Sequence, residues 1–469
     1  MKKNDEYIGI VENFGSNGEG VIKDNGQITF VPYAIKGEKV CYKILKATKN
    51  CAYGKLLEVL TPSSDRIAPK CAVFNKCGGC QIQHLNYEKQ LVLKRDTVKD
   101  CFKKIAGISF EVSSTEPCEK PFGYRNKLQL PVAETKEGTV IGFYAENSHR
   151  VVPIDDCPIN PAWTKNIISA FKVYAKEFNL KGYDSERNVG DLREITAKEI
   201  DGNLIIVAVV TDKNIRGKDR LVEILKKELA LNFSLYFNVN KSRSNVIYGD
   251  DFYLFYGAPD YTATVDGIKC KFGVQSFMQV NDEMRSKLYA KVKEEIDADA
   301  NTTVIDAYSG AGLMTALLSE KASKAIGVEI VKEAVDCANE LAKINGLTDK
   351  MINYNGACED LLPSIIEKEK KAGKKIKVVL DPPRKGCDIA VLNAVKDSGA
   401  DKIVYVSCLP STLARDVGLL TGYLVEKDGK IEKTQTPNGN YEVTFIKPFD
   451  MFPQTKHVET LVCLARKEN

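Results

Sequence analysis

Three segments near the end of the sequence place reactive side chains beside apolar runs. Cys408 follows KIVYVS, Asp381 follows KVVL, and Glu459 stands directly before TLVCLAR. A thiol acts as a nucleophile when its pKa is lowered or a base lies nearby, and a carboxylate can move protons. A lone cysteine at a strand end is more often buried and inert. The chemistry therefore depends on whether the fold brings these three residues together.

The elements around these residues alternate between strand-like and helical patterns. The apolar runs TTVIDAYSG, AIGVEI, MINYNG, KVVLDPP and KIVYVSC are separated by helical stretches. This alternation predicts a doubly wound parallel sheet, in which ligands bind beyond the carboxyl ends of the strands. We predict a Rossmann-like α/β domain over residues 283–469, with the reactive residues at that edge.

A glycine turn follows the first of these strands. Asp306 ends the strand, Gly310 and Gly312 form the turn, and Glu329 ends the next strand. Glycines allow close approach of a ligand, and an acid at that second position accepts hydrogen bonds from ribose hydroxyls. The third glycine of a dinucleotide site is absent, and no phosphate-binding loop occurs. The pattern suits S-adenosyl-L-methionine (SAM), the alternative being an ordinary strand–turn–helix with a surface glutamate.

The loop that starts at Asp381 contains two prolines followed by Arg384. The prolines fix φ and delay the next helix. Enzymes that methylate amino groups place an acid, two prolines and an aromatic side chain in such a loop. Arg384 in place of the aromatic residue argues against an amino nitrogen as the target.

The first 282 residues divide into two regions of different pattern. Residues 1–62 contain short strands and glycine turns, with a hairpin signal at Asn25-Gly26, and predict an OB-like β-barrel or another small barrel. Residues 63–282 predict a mixed, largely antiparallel α+β domain. Its helices are expected over 86–105 and 161–178, where apolar residues recur at helical spacing.

The chain has fourteen cysteines and three histidines. Cys71, Cys77 and Cys80 form a C-x5-C-x2-C group, which is better explained by metal binding than by disulfides in a reducing compartment. Sulfur-only ligation suits either an iron–sulfur cluster or zinc. The local candidates for a fourth ligand are Cys101, Cys118 and Cys157.

Composition narrows the class of protein only slightly. The net charge is +4, the chain lacks an apolar run that could cross a bilayer, and its first residues do not read as a secretion signal. We therefore expect a cytoplasmic protein. A mildly basic charge is compatible with nucleic-acid binding without indicating it.

Taken together, the segments DPPRKG, YVSCLPSTLARD and FPQTKHVE resemble, in order and position, the signatures of the RNA uracil-C5 methyltransferases. The resemblance covers essentially the whole chain, and the N-terminal barrel looks like the TRAM domain of the ribosomal RNA branch. It implies SAM-dependent formation of 5-methyluridine in RNA, most often 23S ribosomal RNA, by a monomeric enzyme. Two departures are Leu409, where the family usually has Asn, and Met278, where an aromatic residue is common.

The resemblance also implies roles for individual residues. It implies Cys408 as the nucleophile that adds to C6 of uracil and Glu459 as the general base. The implied SAM ligands are Gln279, Tyr308, Glu329 and Asp381. The implied ligands of a [4Fe–4S] cluster are Cys71, Cys77, Cys80 and Cys157.

Three rival interpretations remain. The chain could methylate tRNA, although the tRNA branch typically lacks both the cluster and the TRAM domain. It could methylate cytosine C5 or an amino group, which a single Cys408 together with Arg384 disfavours. It could also be a non-catalytic RNA-binding iron–sulfur protein, against which the presence of Cys408, Asp381 and Glu459 argues.

Overall fold

The computed structural model describes residues 2–24 and 26–467. Within this part, the chain divides into two compact units. The first comprises residues up to 93, 119–261 and 452–456, and the second comprises 94–118, 262–451 and 457–467. None of the helices described is both long and apolar enough to cross a membrane.

The N-terminal part of the first unit is a six-stranded sheet in the order β1-β5-β6-β4-β3-β2. Alternate residues of β5, such as Val40, Tyr42 and Ile44, are buried in its core. Strands β3 and β4 pair antiparallel as the hairpin signal predicts, while Asn25 itself lies outside the described residues. The strands are β1 Glu6–Ile10, β2 Asn13–Phe14, β3 Gly20–Asp24, β4 Gln27–Val31, β5 Lys39–Ala47 and β6 Cys51–Thr61.

The rest of the first unit is built on a seven-stranded sheet in the order β13-β12-β11-β10-β7-β8-β9. It is antiparallel except for β11 and β12, which run parallel because helix α3 forms the crossover between them. The strands are β7 Lys127–Thr135, β8 Gly138–Tyr144, β9 Val151–Pro153, β10 Leu192–Ile200, β11 Asn203–Val210, β12 Asn232–Val239 and β13 Phe252–Tyr256. The helices are α2 Trp163–Glu177 and α3 Lys218–Glu228. Helix α1 Tyr87–Cys101 begins in this unit, but its residues from Lys94 on and the π-helix Phe102–Ala106 that continues it belong to the second unit.

The second unit contains the expected α/β sheet, in the order β18-β17-β16-β19-β20-β24-β23. The five strands β16 to β20 are parallel and, apart from the edge strand β18, largely buried, whereas β24 pairs antiparallel with β20. The sheet strands are β16 Thr302–Ala307, β17 Lys324–Glu329, β18 Met351–Asn355, β19 Lys375–Leu380, β20 Lys402–Ser407, β23 Tyr441–Phe449 and β24 Glu459–Arg466. Two hairpins, β14 Asp260–Val265 with β15 Ile268–Gly273 and β21 Leu424–Lys427 with β22 Lys430–Lys433, lie outside it.

Helices connect the strands of this sheet and shield its apolar faces. They are α4 Asp282–Ile296, α5 Leu313–Ser319, α6 Lys332–Ile344, α7 Cys358–Lys371, α8 Ile389–Ser398 and α9 Pro410–Leu420. A core of Ile, Val and Leu side chains fills the space between α7, α8, α9 and the strands. The sheet is therefore rigid at the edge where its parallel strands end, which suits a site that must hold reacting groups in place.

A buried ion pair holds helix α1 against the segment that follows β23. Lys94 is 1% exposed and Asp450 is fully buried, and the ammonium of Lys94 bonds to the carboxylate of Asp450. Removing one partner of a buried ion pair leaves the other charge in a medium of low dielectric constant.

We expect Lys94→Met to lower the free energy of unfolding by about 3–5 kcal/mol, since Asp450 then loses its buried countercharge. Urea unfolding of the variant measures this loss. Lys104→Met is the matched control, because Lys104 pairs with Asp100 on the surface and should contribute less than about 0.5 kcal/mol. Equal effects of the two substitutions would contradict the assignment.

Candidate active site at the carboxyl ends of the C-terminal sheet

The register of β20 and β24 brings Cys408 and Glu459 together. Ser407, the last residue of β20, is the antiparallel partner of Thr460 in β24. The next residue of one strand and the preceding residue of the other are Cys408 and Glu459. The two chemically reactive residues therefore face each other at the end of the sheet, although 51 positions separate them in the chain.

Asp381 and Arg384 reach the same site from the neighbouring strand. Leu380, the last residue of β19, pairs with Tyr405 in β20, so the loop beginning at Asp381 emerges beside Cys408. Arg384 lies close enough to the Cys408 thiol to act on its ionisation, as do Asp381 and Glu459. The structure thus groups one thiol, two carboxylates and one guanidinium at this edge of the sheet.

Burial dominates the electrostatics of this group. It raises the pKa of the Cys408 thiol, the charge of Glu459 adds to that rise, and the guanidinium of Arg384 opposes it. Burial and the neighbouring charge of Asp381 raise the pKa of Glu459 well above its usual range. Burial also raises the pKa of Asp381 to about 7. A carboxylate with a raised pKa is a stronger base once it is ionised, and Arg384 is the cation that favours the thiolate.

The backbone around Cys408 is fixed by the start of α9. Leu409 is the N-cap residue of this helix, and its N–H donates to Ser407 Oγ over 3.2 Å. Pro410 follows as the first helical residue, a position at which proline is well tolerated. Because Leu409 acts here through its backbone, its departure from the family pattern leaves this anchoring intact.

A second group of residues lies at the ends of β16 and β17. The carboxylate of Glu329 accepts the N–H of Gly310 through Oε2 over 3.0 Å and the N–H of Val331 through Oε1 over 2.9 Å. Tyr308 has a positive φ of 66°, which turns the chain sharply out of β16. A methyl group at Gly310 would meet nothing within 4 Å, so the space above this turn is open to a ligand.

Gln279 lies in the segment between β15 and α4. This segment is anchored two residues later by Asn281, whose Oδ1 accepts the N–H of Met284 and whose Nδ2 donates to the Met451 carbonyl over 3.2 Å. Asn281 is 1% exposed. Gln279 thus lies two residues before the N-cap of α4.

Tyr289 of α4 belongs to the site but is not identified from the sequence. The charges of Asp381, Asp306 and Glu459 act on its hydroxyl, whose pKa is raised mainly by burial. In the sequence, a tyrosine among the apolar positions of a helix is typical of core packing. The carboxylates near Tyr289 lie at the ends of three separate strands, so their proximity to it is visible only in the folded structure.

The four cysteines assigned to a cluster line one cavity in the first unit. This cavity has a volume of about 280 Å³ and includes Cys71, Cys77, Cys80 and Cys157, whereas Cys101 and Cys118 do not line it. All four are free thiols. Burial raises the pKa of the Cys157 thiol to about 11, and the neighbouring thiols add to the rise.

Gln83 points its amide into this cavity. Its Oε1 accepts the N–H of Cys71 over 2.7 Å. Its buried Nε2 makes no well-formed hydrogen bond among the described residues, although it lies near enough to the Cys80 thiol to lower the pKa of that thiol. A buried N–H donor without an acceptor costs roughly 1–3 kcal/mol, so an acceptor in this cavity would satisfy it.

The thiols nevertheless do not converge on a point. Within the part of the chain that the structure describes, no three His, Cys, Asp or Glu side chains are arranged so that they could hold a metal ion. The side chains as they stand therefore do not form the metal site expected from the sequence. Of that expectation, the structure shows only that the four cysteines line the same cavity.

Comparison with known proteins agrees with the fold of the two ends of the chain. Residues 86–467 match the family model described as tRNA (Uracil-5-)-methyltransferase, and residues 10–57 match the TRAM domain. An uncharacterized RNA methyltransferase of Clostridium tetani is 38% identical over 467 residues, which cover 99% of this chain and 97% of that protein. An uncharacterized RNA methyltransferase of Halalkalibacterium halodurans is 35% identical over 470 residues, covering 100% and 98%.

Among solved structures, the chain is similar to the Pyrococcus abyssi tRNA (uracil-54, C5)-methyltransferase in complex with S-adenosyl-L-homocysteine. The TM-score is 0.75 with 25% identity, and the match covers 98% of this chain and 99% of that one. The family model covers well over half of the sequence, and the two relatives match along nearly their whole length. The chain therefore belongs to the tRNA (uracil-5-)-methyltransferase family of SAM-dependent RNA methyltransferases.

Proposed function

We propose that this protein transfers the methyl group of SAM to carbon 5 of uracil in ribosomal RNA through a covalent adduct with Cys408. The observation that carries the proposal is the pairing of Ser407 with Thr460, which sets Cys408 opposite Glu459. Carbon 5 of uracil is too weak a nucleophile to attack a methyl donor unaided. A thiol that adds to C6 makes C5 nucleophilic, and a base beside it can then remove the proton from C5.

The side chains of the site divide the reaction between them. The thiolate of Cys408 adds to C6 of uracil, forming a C–S bond, and the electrons of the C5–C6 double bond move toward O4. The methyl group that SAM supplies is then attacked by C5, and S-adenosylhomocysteine leaves. Glu459 removes the proton from C5, the double bond re-forms, and the Cys408 thiolate is expelled. Arg384 stabilises the thiolate at the start and at the end of this sequence.

The residues at the ends of β16 and β17 fit a nucleoside cofactor. Each carboxylate oxygen of Glu329 accepts one backbone N–H and retains a lone pair for a ribose hydroxyl. The open space at Gly310 admits the cofactor close to the backbone, and Ile330, 68% exposed, offers an apolar surface beside it. We propose Gln279, Tyr308, Glu329 and Asp381 as the residues that hold SAM.

Ribosomal RNA is the proposed substrate because the chain joins an N-terminal TRAM domain to a cysteine-lined cavity. A specific observation favours tRNA as the second candidate, since the similar Pyrococcus abyssi structure is that of a tRNA (uracil-54, C5)-methyltransferase. Both candidates require the same site chemistry, and they differ in which RNA can place a uracil in it.

Incubation of the purified protein with methyl-tritiated SAM and either 23S ribosomal RNA or bulk tRNA distinguishes them. We expect 5-methyluridine to form in the ribosomal RNA, with Cys408→Ala protein as the blank. Formation in tRNA alone would replace the first candidate by the second. Label in cytosine or in an amino group would contradict both.

We also propose that Cys71, Cys77, Cys80 and Cys157 hold a [4Fe–4S] cluster after their side chains rotate inward. The shared cavity and the unsatisfied amide of Gln83 support this, because N–H donors commonly bond to the sulfurs of such clusters. The proposed reaction includes no oxidation or reduction, so the cluster would have a structural role.

Anaerobically purified protein should contain about four irons per chain and be brown, as four thiolate ligands imply. Cys157→Ala should lose most of the iron, whereas Cys101→Ala, outside the cavity, should retain it. Zinc in place of iron, or equal iron in both variants, would refute the proposal.

A further inference from the structure

The backbone of the loop that carries Arg384 is bonded to its own turn and to helix α9. The turn closes on itself through the Gly386 N–H, which donates to the Pro383 carbonyl over 2.8 Å. Arg415 Nη2 donates to the Lys385 carbonyl over 3.0 Å. Thr412 Oγ1 lies 3.2 Å from the Arg384 carbonyl oxygen and 3.1 Å from that of Leu409. One hydroxyl of α9 thus stands between the residue after Cys408 and the backbone of Arg384.

Asp416 is the centre of this connection. It is fully buried, and its Oδ2 accepts the Cys387 N–H over 2.9 Å and the Tyr405 hydroxyl over 2.6 Å. Its Oδ1 accepts Arg415 Nε over 2.7 Å. The carboxylate therefore joins the loop, strand β20 and helix α9 at one point.

At Gly386 the loop packs closely against the side chains of Asp416 and Arg415. Its φ is +80°, and an added Cβ would lie 2.4 Å from Asp416 Oδ2 and 2.5 Å from Arg415 Nη2. An added side chain would have to displace the ends of these two side chains, and the positive φ would strain any residue other than glycine. Contacts of this kind fix the direction in which the loop presents the exposed side chain of Arg384.

We infer that Asp416 and Arg415 are positioning residues that hold Arg384 beside Cys408. Neither needs to touch substrate or cofactor. The charged groups that face the thiol are Arg384 and Asp381 from the loop after β19 and Glu459 from β24. Of these, Arg384 is the cation, so its orientation decides how readily the thiol ionises. The inference rests on the role of Cys408 proposed above.

Alkylation by iodoacetamide tests this inference without requiring turnover. The rate at Cys408, followed on the peptide that contains it, is measured against pH for the wild type, Arg384→Ala, Arg415→Met and Asp416→Ala. Arg415 is part-exposed, so its variant should fold even if Asp416→Ala does not. Arg466→Met is the matched control, because Arg466 also donates to a backbone carbonyl, that of Gly399, but at the other end of the sheet.

We expect the midpoint of the alkylation profile to rise by roughly one pH unit in Arg384→Ala and by a comparable amount in Arg415→Met. In the double variant Arg384→Ala/Arg415→Met, the midpoint should rise little further than in Arg384→Ala, because Arg415 acts on the thiol only through the guanidinium of Arg384. Arg466→Met should match the wild type. An unchanged midpoint in Arg415→Met, or a full additional shift in the double variant, would overturn the inference. Methyl transfer by Cys408→Ala would instead overturn the proposed function.

Discussion

Replacing Cys408 by alanine should abolish methyl transfer to uracil. Without the thiolate, C6 carries no adduct and C5 stays unreactive, so we expect turnover to fall by a factor on the order of 10⁴ or more. The variant should fold normally, because Cys408 lies half-buried at a strand end and its backbone is held by Ser407 and α9. Transfer of tritium from labelled SAM to RNA measures the loss.

Cys337→Ala is the control for this substitution. Cys337 is an exposed cysteine of α6, on a helix far along the chain from the proposed nucleophile, and its loss should leave turnover unchanged. If Cys408→Ala retained turnover within tenfold of the wild type, covalent catalysis by this residue would be excluded.

Replacing Glu459 by glutamine should stop the reaction at a later step. Glutamine has nearly the same shape but cannot accept the proton from C5, so the methylated uracil stays bonded to Cys408. We expect turnover to fall by a factor on the order of 10²–10⁴. A protein–RNA complex that carries the labelled methyl group should accumulate on a denaturing gel, even with natural RNA.

The matched control is Glu442→Gln, which alters an exposed acid on the adjacent strand β23 and should turn over like the wild type. The double variant Cys408→Ala/Glu459→Gln should form no complex, because the bond to C6 cannot arise. Rapid turnover by Glu459→Gln would show that another group removes the proton.

The parallel sheet and its ligand-binding edge follow from local patterns. Strands such as β17 and β20 are buried on both faces, so they contain the apolar runs AIGV and IVYV, and the residues after them stand at the carboxyl edge. The strands of the N-terminal TRAM domain are equally visible in their alternating residues and glycine turns. These features depend on neighbours in the chain, which is why the sequence reveals them.

Features that depend on distant pairing could not be predicted in the same way. Cys408 lies opposite Glu459 only because β24 pairs antiparallel with β20 in one particular register. No local pattern in the sequence specifies that register. The apolar spacing in the sequence does not predict helix α3, and without this helix the parallel pairing of β11 and β12 has no explanation. Asp416 looks in the sequence like one more polar residue of α9, because its partners Cys387 and Tyr405 lie on other elements.

The most direct test of the account is the site of attachment in a trapped complex. RNA containing 5-fluorouridine should become covalently bound, because fluorine cannot be removed from C5 as a proton is. Trypsin should release residues 403–415 as one peptide, whose single cysteine is Cys408. We predict that mass spectrometry finds the fluorinated, methylated nucleotide on this peptide. Attachment to another cysteine, or no attachment while uracil is still methylated, would contradict the mechanism.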